Sequence, residues 1–226
     1  MVKSMNMQLT EEEQVEALKK WWKENGVSVI VGVVIGLSVI VGFWKWREYT
    51  EQRAYEASDI YAEFTDALTE QKDETVKQRY ATLSKDFSGT SYAVLAAMRM
   101  AKQAVEKDEL DKAASELKWA LDHASEEVLA HLARIRLAHV MGAQKKFDDA
   151  LALIHGISPS AFDAQYAEIK GDIYSHTGKV AEARQAYQSA LDSGLLTGKR
   201  REFVQMKLSD LGSPEPANMP EPSEVK

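Results

Sequence analysis

The sequence predicts an all-α protein: a single N-terminal transmembrane helix followed by an α-solenoid of short helical pairs. Three observations carry this. Residues Val27–Trp44 form eighteen consecutive positions without an ionisable side chain. Beyond them no stretch alternates apolar and polar residues as a half-buried strand would, while apolar residues recur at helical spacing. Similar helix-opening segments then return at intervals of 37 and 33 residues, which is the mark of a repeat architecture.

Residues 1–26 read as a polar tail carrying a short amphipathic helix. Thr10 stands as N-cap with Glu13 three places on, a capping box, and Glu11, Glu12 and Glu13 sit at the positive end of the helix dipole. Val15, Leu18, Trp21 and Trp22 make an apolar stripe, Lys19, Lys20 and Lys23 gather in the last turns, and Asn25-Gly26 supplies a stop. The stripe predicts a helix lying at a membrane interface; a solvated tail is the competing reading.

Residues 27–46 are the predicted span. Eighteen residues rise through roughly 27 Å of helix, close to the hydrocarbon thickness of about 30 Å. Trp21 and Trp22 precede the run and Trp44 and Trp46 close it, so four of the five tryptophans stand at headgroup level. A cleaved signal peptide fits less well: the preceding residues hold four lysines against five glutamates, and no small-x-small site follows. Ser28, Gly32 and Gly36 form a row of small residues that either admits a second transmembrane helix or faces lipid. Basic residues on the two sides of the span balance, with Lys19, Lys20 and Lys23 against Lys45, Arg47 and Arg53, so charge leaves the orientation open.

The formal charge of −7 divides into −1 for residues 1–26, +2 for Lys45 and Arg47, and −8 for residues 48–226. An acidic module does not hold nucleic acid by counterion release, which excludes nucleic acid as a partner. Cysteine is absent, so disulfides, thiolate metal sites and thiol nucleophiles are excluded.

Residues 47–93 are expected to form a helical extension or first helical pair. Its stripe comprises Tyr49, Ala54, Tyr55, Ala57, Ile60, Tyr61, Phe64 and Leu68, and Tyr80, Leu83 and Phe87 mark a second helix ending at Ser88-Gly89. Residues 94–212 carry three repeats, at about 94–130, 131–163 and 164–198, closed by a capping helix over 199–211. Ala113, Ala150 and Ala183 occupy the place where two helices of a repeat cross closely, and Leu117, Ile154 and Tyr187 fill the gap to the neighbour. In the third repeat Gly171, Tyr174, Gly178, Ala183, Tyr187 and Ala190 stand at the offsets of the tetratricopeptide pattern, and the segment resembles that family. The first two repeats place Ala101 and Ala138 at the glycine position and Ala104 and Met141 at the aromatic one. Residues 213–226 hold four of the five prolines and read as a disordered tail.

No catalytic constellation appears. The histidines (123, 131, 139, 155 and 176) form no His-Glu-x-x-His pattern, and His131 and His139 are roughly 12 Å apart along a helix, too far to chelate one ion. No glycine-rich loop is followed by Lys-Ser or Lys-Thr. The sequence therefore predicts neither an enzyme nor a cofactor or metal site.

A solenoid of this type offers a concave groove formed by the first helix of each repeat. The repeat frame places Leu95, Met98 and Lys102 there, then Leu132, Ile135 and His139, then Gln165, Glu168 and Asp172. These make a surface apolar at one end and acidic at the other. Met98, Ile135, Glu168 and Asp172 stand where some tetratricopeptide domains hold a carboxylate clamp, which favours apolar segments such as unfolded chain or a partner helix. Alternatively, the helix over 47–70 folds across the groove and covers it.

The order of parts resembles the YfgM family of bacterial inner-membrane proteins: the motif E-Q-V-E-A-L-K-K-W-W-K-E-N-G at Glu13–Gly26, a glycine-spaced span, then degenerate tetratricopeptide repeats, over residues 11 to about 211. The proline-rich tail departs from that pattern. The resemblance implies a single-pass inner-membrane protein with a cytoplasmic N-terminus and a periplasmic repeat domain. It further implies an ancillary subunit of the Sec translocon that works beside a PpiD-like periplasmic chaperone and hands over unfolded or nascent secretory polypeptides. A scaffold that docks folded partners, or regulation through the cytosolic tail, are the alternative functions.

Overall fold

The computed structural model describes residues 11–157 and 160–212, and among these every regular element is an α-helix. In order they are α1 (Glu11–Thr69), α2 (Asp73–Asp86), α3 (Ser91–Glu106), α4 (Leu110–His123), α5 (Glu127–Ala143), α6 (Phe147–Leu153), α7 (Asp163–His176), α8 (Val180–Asp192) and α9 (Gly198–Asp210). Thr10 and the proline-rich tail lie outside the described residues. The chain divides into two compact units, one reaching to Arg53 and the other starting at Ala54.

The first unit is helical from Glu11 without a break, and Asn25-Gly26, expected to stop the helix, does not. Asn25 Nδ2 donates 3.1 Å to the Trp21 carbonyl, and the Trp22 indole lies where a Cβ on Gly26 would stand, 3.2 Å away. Gly26 therefore makes room for an aromatic ring folded back along its own helix. An interior glycine costs about 1 kcal/mol of helix stability, too little to break a helix supported on both sides. The helix passes through an eighteen-residue window of mean hydropathy 2.6 that is almost wholly unburied by protein, as a membrane span requires.

From Ala54 onward the chain stacks helical pairs whose turns share one geometry. Gln71, Asp108, Lys145 and Gly178 take left-handed backbone angles, φ 58°, 59°, 61° and 73°. In each turn the left-handed residue donates its N–H to a carbonyl three residues back, and the residue after it donates to one five back, at 2.8–2.9 Å. These are Schellman closures, which satisfy carbonyls that a helix end leaves free. The closures fall 37, 37 and 33 residues apart, so there are four hairpins of the repeat type where sequence spacing marks three. The additional one joins the last turns of α1 to α2. In it Phe64 and Val76 take the places held elsewhere by Ala101, Ala138 and Gly171, and by Ala113, Ala150 and Ala183, and both are buried. Bulky side chains at the two crossing positions hide the repeat from a search for small ones.

Four successive cores bind the stack. Ala57, Phe64, Leu83 and Met100 belong to the first; Ala101, Leu117, Ala133 and Leu137 to the second. Ala138, Ile154, Tyr166 and Ile169 belong to the third, and Ala183, Tyr187, Leu196 and Val204 to the fourth. Each core combines one hairpin with the first helix of the next, so stability passes from neighbour to neighbour. Tyr49 and Tyr55, placed by periodicity on the buried stripe of α1, are exposed; Arg53 stands over the Tyr49 ring at 5.7 Å.

Candidate functional site: a groove across the helical repeats

The first helix of each hairpin positions the candidate site. Tyr61, Met98, Ile135 and Glu168 occupy equivalent places, separated by 37, 37 and 33 residues. A groove of about 570 Å³ opens on this face, lined by Tyr61, Leu95, Met98, Arg99, Lys102, Val105, Arg136 and His139. Met98 forms the buried floor, and Arg136 Nη1 lies 3.2 Å from its sulfur. Arg99, Lys102, Val105, Arg136 and His139 are exposed along the walls. Partial desolvation by those walls holds the His139 imidazole below the ordinary histidine pKa, against the opposing influence of Asp172 and Glu168.

Four of the nine residues expected in the groove, Leu95, Met98, Lys102 and His139, come together there. The other five do not. Ile135 belongs to the third core and Leu132 packs half-buried against the second, because α5 turns both toward neighbouring helices. Gln165 is half-buried with its Oε1 unpartnered among the described residues.

The acidic end is closed by the chain itself. Glu168 is buried, with Arg200 Nη2 at 2.8 Å and Lys207 Nζ at 2.9 Å, while Asp172 receives Lys207 at 2.7 Å and the Tyr187 hydroxyl at 2.8 Å. Burial, then the bond to Asp172, pushes the Tyr187 phenol above its ordinary pKa, so it stays a donor. The capping helix α9 thus neutralises the carboxylates instead of only covering apolar surface; Val204 supplies that second function.

Nor does the end of α1 fold across the groove. Ala57, Phe64 and Ala67 turn into the first core, and Tyr61 alone of that helix forms part of the wall. Sequence reading missed Tyr61, Arg99, Val105 and Arg136. Arg99 and Arg136 were accessible in principle, since they stand 37 residues apart, each one place after a predicted groove residue.

His131 is a satisfied core histidine: its Nδ1 lies 2.6 Å from the Tyr166 hydroxyl and its ring stacks on Phe162 at 4.9 Å. Tyr80 similarly donates its hydroxyl to Glu116 across α2 and α4. Among the described residues no group of histidine and carboxylate side chains is arranged to hold a metal ion.

Comparison with known proteins agrees with this architecture. Residues 19–213 match the tetratricopeptide repeat-like domain family. The ancillary SecYEG translocon subunit of Escherichia coli K12 is 31% identical over 209 residues, covering 92% of this chain and 99% of the relative. That of Haemophilus influenzae Rd is 29% identical over 92% of this chain and 100% of its own. The protein of the same name from Aggregatibacter actinomycetemcomitans is 31% identical, over 90% and 98%. No solved structure matches. A family match over most of the chain, and relatives aligned over nearly their whole length, lead to one conclusion: the chain belongs to the tetratricopeptide repeat-like family of ancillary SecYEG translocon subunits, the YfgM family.

Proposed function

We propose that this protein is a membrane-anchored, non-enzymatic accessory of the Sec translocon that receives polypeptide segments in its groove and passes them to a PpiD-like chaperone. The observation that carries the reading is an open groove with an apolar floor on a repeat domain whose chain also contains one apolar helix of membrane-spanning length. The names of its relatives place their function at SecYEG. Tethering raises the local concentration of groove near emerging chain, so weak contacts suffice.

In this reading residues 1–26 are cytoplasmic, the span lies in the inner membrane, and the repeats face the periplasm. Leu95, Met98, Lys102 and His139 line the polypeptide site, while Ser28, Gly32 and Gly36 pack on a helix of the translocon or of the chaperone.

Photo-crosslinkers at Leu95 and Lys102 test the central claim: they are expected to capture nascent secretory chains, and capture of none would overturn it. Ile135, being a core residue, is a control position that should stay silent. Alkaline phosphatase fused after Gly212 should be active; an inactive fusion would reverse the topology. The alternative scaffold function predicts a stoichiometric membrane partner in mild detergent without any crosslinked client.

A further inference from the structure

We infer that the groove selects apolar segments bearing acidic side chains. This rests on the reading of the groove as a polypeptide site and names the class of polypeptide it takes.

Tyr61, Leu95, Met98 and Val105 supply apolar lining. The charged part of the wall is cationic. Arg99, Lys102 and Arg136 stand exposed along it, and no carboxylate is among the lining residues. Among the described residues neither Arg99 nor Arg136 is paired with an acid; the partner of Arg136 is the Met98 sulfur, a weak acceptor that leaves most of the guanidinium's donors available. Lys102 meets only Glu106, 3.6 Å away on its own helix and well exposed, a pair of the kind that contributes little.

This cationic wall is unusual for its setting, since residues 48–226 carry a net charge of −8. The acids of the neighbouring repeat that could have offset it, Glu168 and Asp172, are already held by Arg200 and Lys207. Exposed beside an apolar floor, guanidinium groups without an acid partner favour carboxylates and disfavour cationic segments, and a segment that excludes water as it docks strengthens that preference. The chain's own segment after Gly212 carries acids but no apolar run to set on the floor, so the occupant is a segment of a second protein, apolar on one side with glutamate or aspartate on the other.

The test uses the full chain in lipid nanodiscs and three fluorescent peptides that share one apolar sequence and differ in carrying glutamate, glutamine or lysine at the same positions. The glutamate peptide is expected to bind at least about tenfold more tightly than the lysine peptide, with the difference shrinking as salt rises. R99E/R136E should reverse the order, and R99Q/R136Q should flatten it without introducing charge. Both variants are checked for unchanged helicity and melting temperature. Equal binding of the three peptides, or an order unmoved by both variants, would overturn charge selection while leaving the polypeptide site standing. Failure of all three to bind would overturn the site itself. If the glutamate peptide binds only to E215Q/E221Q/E224Q, the occupant is the chain's own C-terminal segment and the inference of a second protein falls.

Discussion

Lys207 reaches from α9 to Glu168 on α7, its Nζ 2.9 Å from a carboxylate whose side chain is only 5% exposed. A buried acid is tolerable only when paired, so this contact ties the cap to the last hairpin. K207A should lower stability by about 2–4 kcal/mol, because Arg200 alone remains to face Glu168. The double variant E168Q/K207A should lose less than the two single variants together. Thermal unfolding followed by circular dichroism in detergent measures both; full additivity would mean that the pair is not coupled.

Gly171 lies under the Tyr187 ring, where an added Cβ would stand 2.4 Å from Cδ1 and Cε1. The ring is buried and its hydroxyl is held by Asp172, so it has little freedom to move aside. G171A is expected to destabilise the protein by about 1–3 kcal/mol despite the better helix propensity of alanine. Combining it with Y187L should recover part of the loss, which a melting-temperature series would reveal.

The four hairpin turns predict opposite effects of glycine exchange. Lys145 adopts φ 61° and Gly178 φ 73°. K145G should stabilise by about 0.5–1 kcal/mol through relief of left-handed strain, partly offset by unfolded-state entropy. G178A should destabilise by about 1 kcal/mol. A shift of roughly 2–4 °C per kcal/mol makes both visible.

His139 has a folded-state pKa below its unfolded value, chiefly through desolvation. The unfolded chain therefore binds the proton more readily, and stability falls as pH drops through the unfolded value of about 6.5 toward the folded one. Above that range the imidazole is neutral in both states and the effect vanishes. H139Q should flatten this part of the profile between pH 7 and 5, measured as the difference in melting temperature from the parent.

Beyond its own helical turn, an added Cβ at Gly32 or Gly36 would meet no atom within 4 Å among the described residues. G32L/G36L should leave helicity and membrane insertion unchanged and reduce co-purification with the translocon severalfold. Unaltered recovery of the complex would show that this face does not hold the translocon.

Much of the architecture was legible because it depends on local rules. Eighteen uncharged residues in one helix are long enough to cross a bilayer, and Ala113, Ala150 and Ala183 at near-regular spacing show where helices must approach closely. The hairpin joining α1 to α2, expected as a helical extension or first pair, was not counted among the repeats because Phe64 and Val76 satisfy the same crossings with bulk. Asn25-Gly26 misled for a related reason: its turn propensity is worth about 1 kcal/mol, less than the helical continuity on either side.

The groove divides along the same line. Repeat spacing picks out the helix face on which the groove opens, and so Leu95, Met98, Lys102 and His139 could be assigned to one groove from sequence alone. What covers or neutralises that face is a matter of long-range packing. Glu168 and Asp172 look like an open acidic surface until Arg200 and Lys207 arrive from a helix more than thirty residues further on. Arg99 and Arg136 look like ordinary surface charges until the stack sets them beside Tyr61 and Met98. Periodicity in the sequence determines the anchor, the helices and their repeat, because those follow from neighbours along the chain. Only the tertiary structure decides the groove's charge, because charge pairing depends on which side chains meet across the fold.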